Sequence, residues 1–264
     1  MLKKKLLITF IVILIIFIYF DNVMAITHVE PAKLIVKTEP GQRKTGLIKV
    51  TNNGNKKIQL KAILYDWDLN EDDSLKALEA GSNNYTLDGL IKFNPKVFKV
   101  NPGKTQVVRF TITAPVDIKK ERRGIVFFEE ETNLIDEATG ARVVTQVGTA
   151  IYFVPSTALS KFELHGVKIY NPEVENDMAR SLLMVENQGD TTVRYTIHYI
   201  VIDKKGALVN KGEDREKVIL PGYKRIVAFA IGDKYEPGEY KMKLNIEFYG
   251  TEKVGEYVIP FKIK

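Results

Sequence analysis

Three histidines, His28, His165 and His198, lie far apart in the chain, and none has a second histidine or a cysteine at metal-ligand spacing. Cysteine is absent, which removes thiol nucleophiles, thiolate metal sites and redox switching together. No Gly-x-Ser-x-Gly elbow, phosphate loop or His-Glu-x-x-His motif occurs. One run imitates a ligand loop: Asp66-Trp67-Asp68-Leu69-Asn70-Glu71-Asp72-Asp73 offers oxygen donors at alternate positions. A calcium loop of the EF-hand type wants Gly where Glu71 stands and a bidentate acid where Ala77 stands. Both are wrong, and a strand with Asp66, Asp68 and Asn70 on its solvent face accounts for the pattern. Tyr65 and Trp67 alternate with these acids and are expected to pack inward or at an edge. Glu129-Glu130-Glu131 reads as a solvated strand end. The chemistry-bearing residues thus predict no catalytic residue, no cofactor and no metal, which leaves binding as the work to be explained.

The elements that would position a binding surface are strands. Leu34-Ile35-Val36, Gly46 to Val50, Ile58 to Ile63 and Val107 to Ile112 are rich in β-branched residues and mostly alternate apolar with polar. An internal repeat organises them. Val50-Thr51-Asn52-Asn53-Gly54-Asn55 recurs as Val185-Glu186-Asn187-Gln188-Gly189-Asp190, in each copy between two apolar strands. Asn and Gly accept positive φ, so each copy is expected to be a tight turn. A Pro-Gly turn follows in both copies, at Pro102-Gly103 and at Pro221-Gly222. The first copy carries extra residues between these landmarks; the polar stretch Asn70 to Leu90 predicts a long surface loop with one helical turn. The chain is therefore expected to be all-β, two immunoglobulin-like β-sandwich domains in tandem, joined near Pro155 to Ser160.

Lys3 to Lys5, an apolar run from Leu6 to Phe20, and Val23-Met24-Ala25 follow the order of a secretory signal peptide, residues 1–25, cut after Ala25. The run is shorter than the ~20 residues that cross a bilayer. Cleavage removes three lysines and one aspartate, so the net charge of +6 falls to +4 over the remaining residues. This mild excess, on an exported chain, argues against a nucleic-acid partner. The expected domains are 26–157 and 158–264, in the periplasm or the extracytoplasmic cell envelope.

The passage Ile91 to Arg109, with Asn94-Pro95 and Asn101-Pro102-Gly103, resembles the strand D to strand E region of periplasmic pilus-assembly chaperones. Glu121-Arg122-Arg123-Gly124-Ile125-Val126-Phe127-Phe128-Glu129-Glu130 is similar to that family's strand F. Ile151-Tyr152-Phe153-Val154-Pro155 resembles the end of its strand G and the corner proline. The resemblance runs in order over residues 28–157. It implies a non-enzymatic chaperone that binds exported pilus or surface-protein subunits by lending a strand, together with an usher-like outer-membrane protein, and no small-molecule substrate. The donor strand would be Ala141 to Phe153, with Val143, Thr145, Val147, Thr149 and Ile151 as subunit-binding side chains. The family also anchors the subunit's carboxylate with two basic residues. Lys33 matches the first; the second position holds Ala150, with Arg142 or Lys161 as candidate substitutes. The rival expectation is a structural or adhesive envelope protein with tandem immunoglobulin-like domains.

Overall fold

The computed structural model describes residues 27–70, 74–130, 139–140, 144–173, 177–249 and 254–264. The expected signal peptide, 1–25, lies outside them, as do Glu71, Asp72, Asp73 and Glu131.

Among the described residues all regular structure is strand. In chain order these are β1 (Thr27–Glu30), β2 (Lys33–Thr38), β3 (Arg43–Asn52), β4 (Ile58–Leu69), β5 (Leu75–Glu79), β6 (Ile91–Asn94), β7 (Val97–Val100), β8 (Thr105–Thr113) and β9 (Arg122–Glu130). They continue as β10 (Gln146–Pro155), β11 (Phe162–Tyr170), β12 (Ala179–Asn187), β13 (Val193–Asp203), β14 (Leu208–Ile219), β15 (Lys224–Gly232), β16 (Gly238–Phe248) and β17 (Val254–Ile263). The cause is the period-two pattern: along β16, Met242, Leu244 and Ile246 are buried while Lys241, Lys243 and Asn245 are exposed. Each such apolar side chain contributes about 1.5–3 kcal/mol on burial.

The chain divides into two compact units. One comprises residues up to Leu34, Lys44–Ile112 and Gly124–Ile151; the other comprises Ile35–Arg43, Thr113–Arg123 and Tyr152–Lys264. One sheet has the order β1-β3-β8-β6, and a second the order β2-β10-β9-β4-β5, with β7 also paired to β4. The first unit's core includes Ile48, Val50, Leu60, Val108, Phe110, Ile112 and Val126. Two further sheets, β11-β12-β15 and β14-β13-β16-β17, enclose the second unit's core of Leu183, Val185, Tyr195, Ile197, Phe229, Leu244 and their neighbours. Burial pushes the Tyr235 hydroxyl up to about 12.

The repeat has a cause that its composition did not suggest. Asn52 is fully buried; its amide donates to the carbonyls of Lys56 (2.7 Å) and Val100 (3.0 Å), and its Oδ1 accepts from Gly54 N (2.9 Å). Asn187 repeats this with Thr191 (2.9 Å), Ile219 (2.9 Å) and Gly189 N (2.9 Å). The backbone of each asparagine then bonds the Pro-Gly turn: Gly103 N and Gly222 N donate to their carbonyls, both at 2.8 Å. The asparagine is thus a clamp between two turns rather than a positive-φ residue. Positive φ occurs in the Pro-Gly turns, at Gly103 (66°) and Gly222 (79°), whereas Gly54 and Gly189 are not among the positive-φ glycines.

Residues 70–90 differ from the expected loop. In place of a helical turn, β5 pairs with the end of β4, from Tyr65↔Glu79 to Leu69↔Leu75. Asp66 is fully buried, accepting from Thr86 Oγ1 (2.6 Å) and Asn83 N (3.2 Å), so it is not on a solvent face and it holds the turn over residues 80–90 against β4. Trp67 is buried as expected, and Tyr65 meets the Phe127 ring edge-on at 5.4 Å.

Candidate functional site: an open strand edge

The chain changes sheets at its start, and that change leaves part of β10 without a neighbour. Before the cis Glu30–Pro31 bond, β1 pairs with β3, from Thr27↔Asn52 to Glu30↔Lys49. After it, the chain lies along β10 instead. Ala150 N donates to Ala32 O (2.9 Å), and in the second unit Ser156 N donates to Thr38 O (3.0 Å). Both bonds join residues 118 positions apart, the constant offset of a parallel ladder. Thr149 Oγ1 donates to Pro31 O (2.8 Å), closing the near end of this contact. Positions 144–149 would need residues 26–31 as partners, and Thr27–Glu30 are committed to β3. Among the described residues, nothing pairs with the start of β10, or with the two residues before it, on that side.

The direction of its backbone groups follows from one bond. Glu130 N donates to Thr145 O (3.1 Å), so the odd-numbered residues present their N–H and C=O to β9. Ala150, an even residue, points the other way, to Ala32. The amides and carbonyls of Val144, Gln146 and Gly148 therefore face the open side. Gly148 keeps the strand close to β9: a Cβ there would stand 2.7 Å from Phe127 Cδ1 and 2.9 Å from Val126 O.

The side chains sort into two sets. Thr149 and Ile151 are 0% exposed, Val147 is half-buried and Thr145 exposed, all on the face that continues into this chain's own core. Thr149 and Ile151 are therefore not available to an outside chain, which corrects the expectation for those two residues; from Ala150 onward the edge is covered by the protein's own β2. Val143, Arg142 and Ala141 lie outside the described residues. Val144, on the opposite face, is 40% exposed, and Gln146 Nε2 donates to Glu129 (2.9 Å).

Lys33, exposed, opens β2 next to Ala32, where the covered half of β10 begins. Ala150 is half-buried and contributes its backbone rather than a charge. Lys161 is engaged by Glu163 (3.0 Å) and Gln188 (2.5 Å), which takes it out of the role of second cation. Sequence reasoning also gave no weight of its own to Glu121. This buried carboxylate accepts from Thr191 Oγ1 (2.9 Å), Thr192 N (2.8 Å) and Thr192 Oγ1 (2.5 Å), all within the second unit. The Glu-Arg-Arg context marked its position; the partners, some 70 residues away, left no local signal.

No protein-family model matches the chain, and no curated protein does. Solved structures do. A chaperone–tip adhesin complex of CFA/I fimbriae biogenesis matches with a TM-score of 0.51 at 14% identity, over 89% of this chain and 98% of that one. The class 5 fimbriae chaperone CfaA matches at 17% identity and a TM-score of 0.49, over 90% of this chain and 99% of that one. The CsuC–CsuE chaperone–tip adhesion subunit complex of Acinetobacter baumannii matches at 13% identity and a TM-score of 0.45, over 89% and 98%. The first of these likenesses shows the fold: an all-β chain of the two-sandwich kind found in fimbrial chaperones, as the sequence led us to expect.

Proposed function

We propose that this protein is a periplasmic or cell-envelope chaperone that binds exported pilus or surface-protein subunits by strand pairing along residues 144–149. The observation that carries this reading is the open edge over residues 144–149, the start of β10 and the two residues before it, a run of Val, Thr, Gln, Val, Gly and Thr with no charge and no proline. Proteins ordinarily block such an edge, because its unpaired N–H and C=O groups are a template for another strand. A client strand would bond to Val144, Gln146 and Gly148 through the backbone, which supplies affinity. Thr145 and Val147 would meet the client's groove, and Val143 continues the same alternation. Lys33, exposed at the start of β2, would take the client's terminal carboxylate. The fold's likeness to a chaperone–tip adhesin complex supports the same reading. An usher-like outer-membrane protein is the further partner it implies. Nothing in the site asks for turnover.

The test is co-expression of the exported protein with the short β-rich proteins encoded beside it, followed by affinity capture. Wild type should bring down a client. Val147→Asp should lose it by roughly tenfold or more while still giving a cooperative melting curve, since a half-buried charge at the contact opposes docking. Undiminished capture by Val147→Asp would place the client elsewhere and leave the structural or adhesive reading standing.

A further inference from the structure

The second unit carries a side-chain cluster unrelated to the open edge. In the β11–β12 ladder, Glu163 lies directly across from Glu186, a like-charge pair that destabilises a sheet unless a cation answers it. The register then slips between Leu164 and Gly166, so His165 is the extra residue of a β-bulge. Bulges re-aim side chains, and this one turns the imidazole onto the acid pair. His165 Nε2 is 2.5 Å from Glu186 Oε2 and 3.9 Å from Glu163 Oε2. One donor atom from each of the three residues lies within 4.8 Å of the others.

What separates this cluster from an ordinary ion pair is that a single ring nitrogen faces both acids. His198 has the same composition around it and the opposite geometry: Nδ1 faces Glu213 (3.4 Å) and Nε2 faces Glu247 (3.5 Å). Those carboxylates sit on opposite sides of the ring and cannot converge on one ion. His28 meets Glu30 (2.9 Å) as a simple pair.

We infer that Glu163, His165 and Glu186 form a binding site for one divalent transition-metal ion of the zinc type. A neutral imidazole and two carboxylates balance a dication, and a nitrogen donor with two oxygens favours zinc over calcium. In a tetrahedral zinc site neighbouring donors stand about 3.3 Å apart, between the two distances given above, so small side-chain rotations suffice. Gln188 Nε2 donates to Glu163 Oε2 (2.9 Å) and Lys161 holds its Oε1 (3.0 Å), orienting that carboxylate from outside. Lys161, and Lys224 across from Glu186, oppose a cation, which sets the expected affinity in the micromolar range rather than below it. Bound metal would staple edge strand β11 to β12 at its bulge.

The site does not depend on client binding, so the two readings stand or fall separately. Titration calorimetry of the purified protein with zinc should give one saturable site per chain, with no heat from calcium. His165→Ala and Glu186→Gln should each weaken zinc by roughly tenfold or more, and His198→Ala should leave it unchanged. Zinc should also raise the melting temperature of wild type and of His198→Ala, but not of His165→Ala. Melting curves without metal show whether each variant is folded, and Glu186→Gln keeps the shape of the site if His165→Ala does not. The inference is overturned by an absence of saturable binding at millimolar zinc, or by zinc binding that survives both His165→Ala and Glu186→Gln.

Discussion

The two units close the same turn in the same way and finish their outer strands differently. In both, a buried asparagine bonds two carbonyls and one amide and ties a turn that carries the chain from one sheet to another to a Pro-Gly turn. Three of the second unit's four edge strands are spoiled for pairing: β14 carries Lys211, Glu213, Asp214, Arg215, Glu216 and Lys217, β17 contains Pro260, and β11 is broken by the bulge at His165; the fourth, β15, has charges only at its start, Lys224 and Arg225. In the first unit β1, β5 and β6 are short, while the open half of β10 has none of these devices. Shared turns reflect what the fold needs; the difference in edges reflects what the fold alone does not require.

The largest effects should come from the shared feature. Asn52→Ala and Asn187→Ala each leave one buried carbonyl, of Val100 or Ile219, and one part-buried carbonyl without their donor and one amide without its acceptor, a loss of about 3 kcal/mol per variant. Chemical denaturation should show similar losses for both variants; a loss at one site only would end the claim that the two clamps are equivalent. Next comes the difference. Gln146→Pro removes an amide that faces the open side and takes no part in the β9 ladder, so β10 acquires the protection β17 already has. Client capture should fall by roughly tenfold or more, with a stability change of about 1 kcal/mol or less from the altered φ. Equal loss of stability and capture would mean the edge argument has the backbone direction wrong. The reciprocal change, Pro260→Val, gives β17 a continuous row of donors, and self-association at high concentration should rise measurably in sedimentation.

Much of this was legible in the chain itself. Alternation located the strands, and the repeat with its Pro-Gly partner announced two copies of one module. Alternation fails where it was asked for more: it placed Thr149 and Ile151 on one face with Val147, but which part of that face is covered depends on where β1 gives way to β2, some 118 residues earlier. Asp66 was misplaced because a buried carboxylate satisfied by Thr86 and Asn83 has the same local pattern as an exposed one. Asn70 to Leu90 reads as a loop with one helical turn because its polar composition breaks the strand alternation, and only the pairing of Leu75 to Glu79 with β4 shows a strand there. Glu186 and His165 are brought together by a bulge, which leaves no mark in spacing.

The smallest expected effect again compares the units. Glu30 in the first and Glu186 in the second are each held below the ordinary carboxylate range, chiefly by a hydrogen bond from a histidine, His28 and His165 respectively. A carboxyl lowered in the folded state stabilises it above the unfolded pKa, and that contribution fades as pH falls through the folded value. Glu30 is exposed and Glu186 half-buried at the surface, so the contribution is small and screened by salt. Carboxyl-detected NMR titration should show Glu30 and Glu186 losing their charge below the ordinary carboxylate range as acid is added. His28→Ala should return Glu30 alone toward the ordinary range, and His165→Ala should do so for Glu186 alone. Added zinc would separate them further: it should hold Glu186 ionised to lower pH and leave Glu30 where it was, because only His165 turns one nitrogen toward two acids.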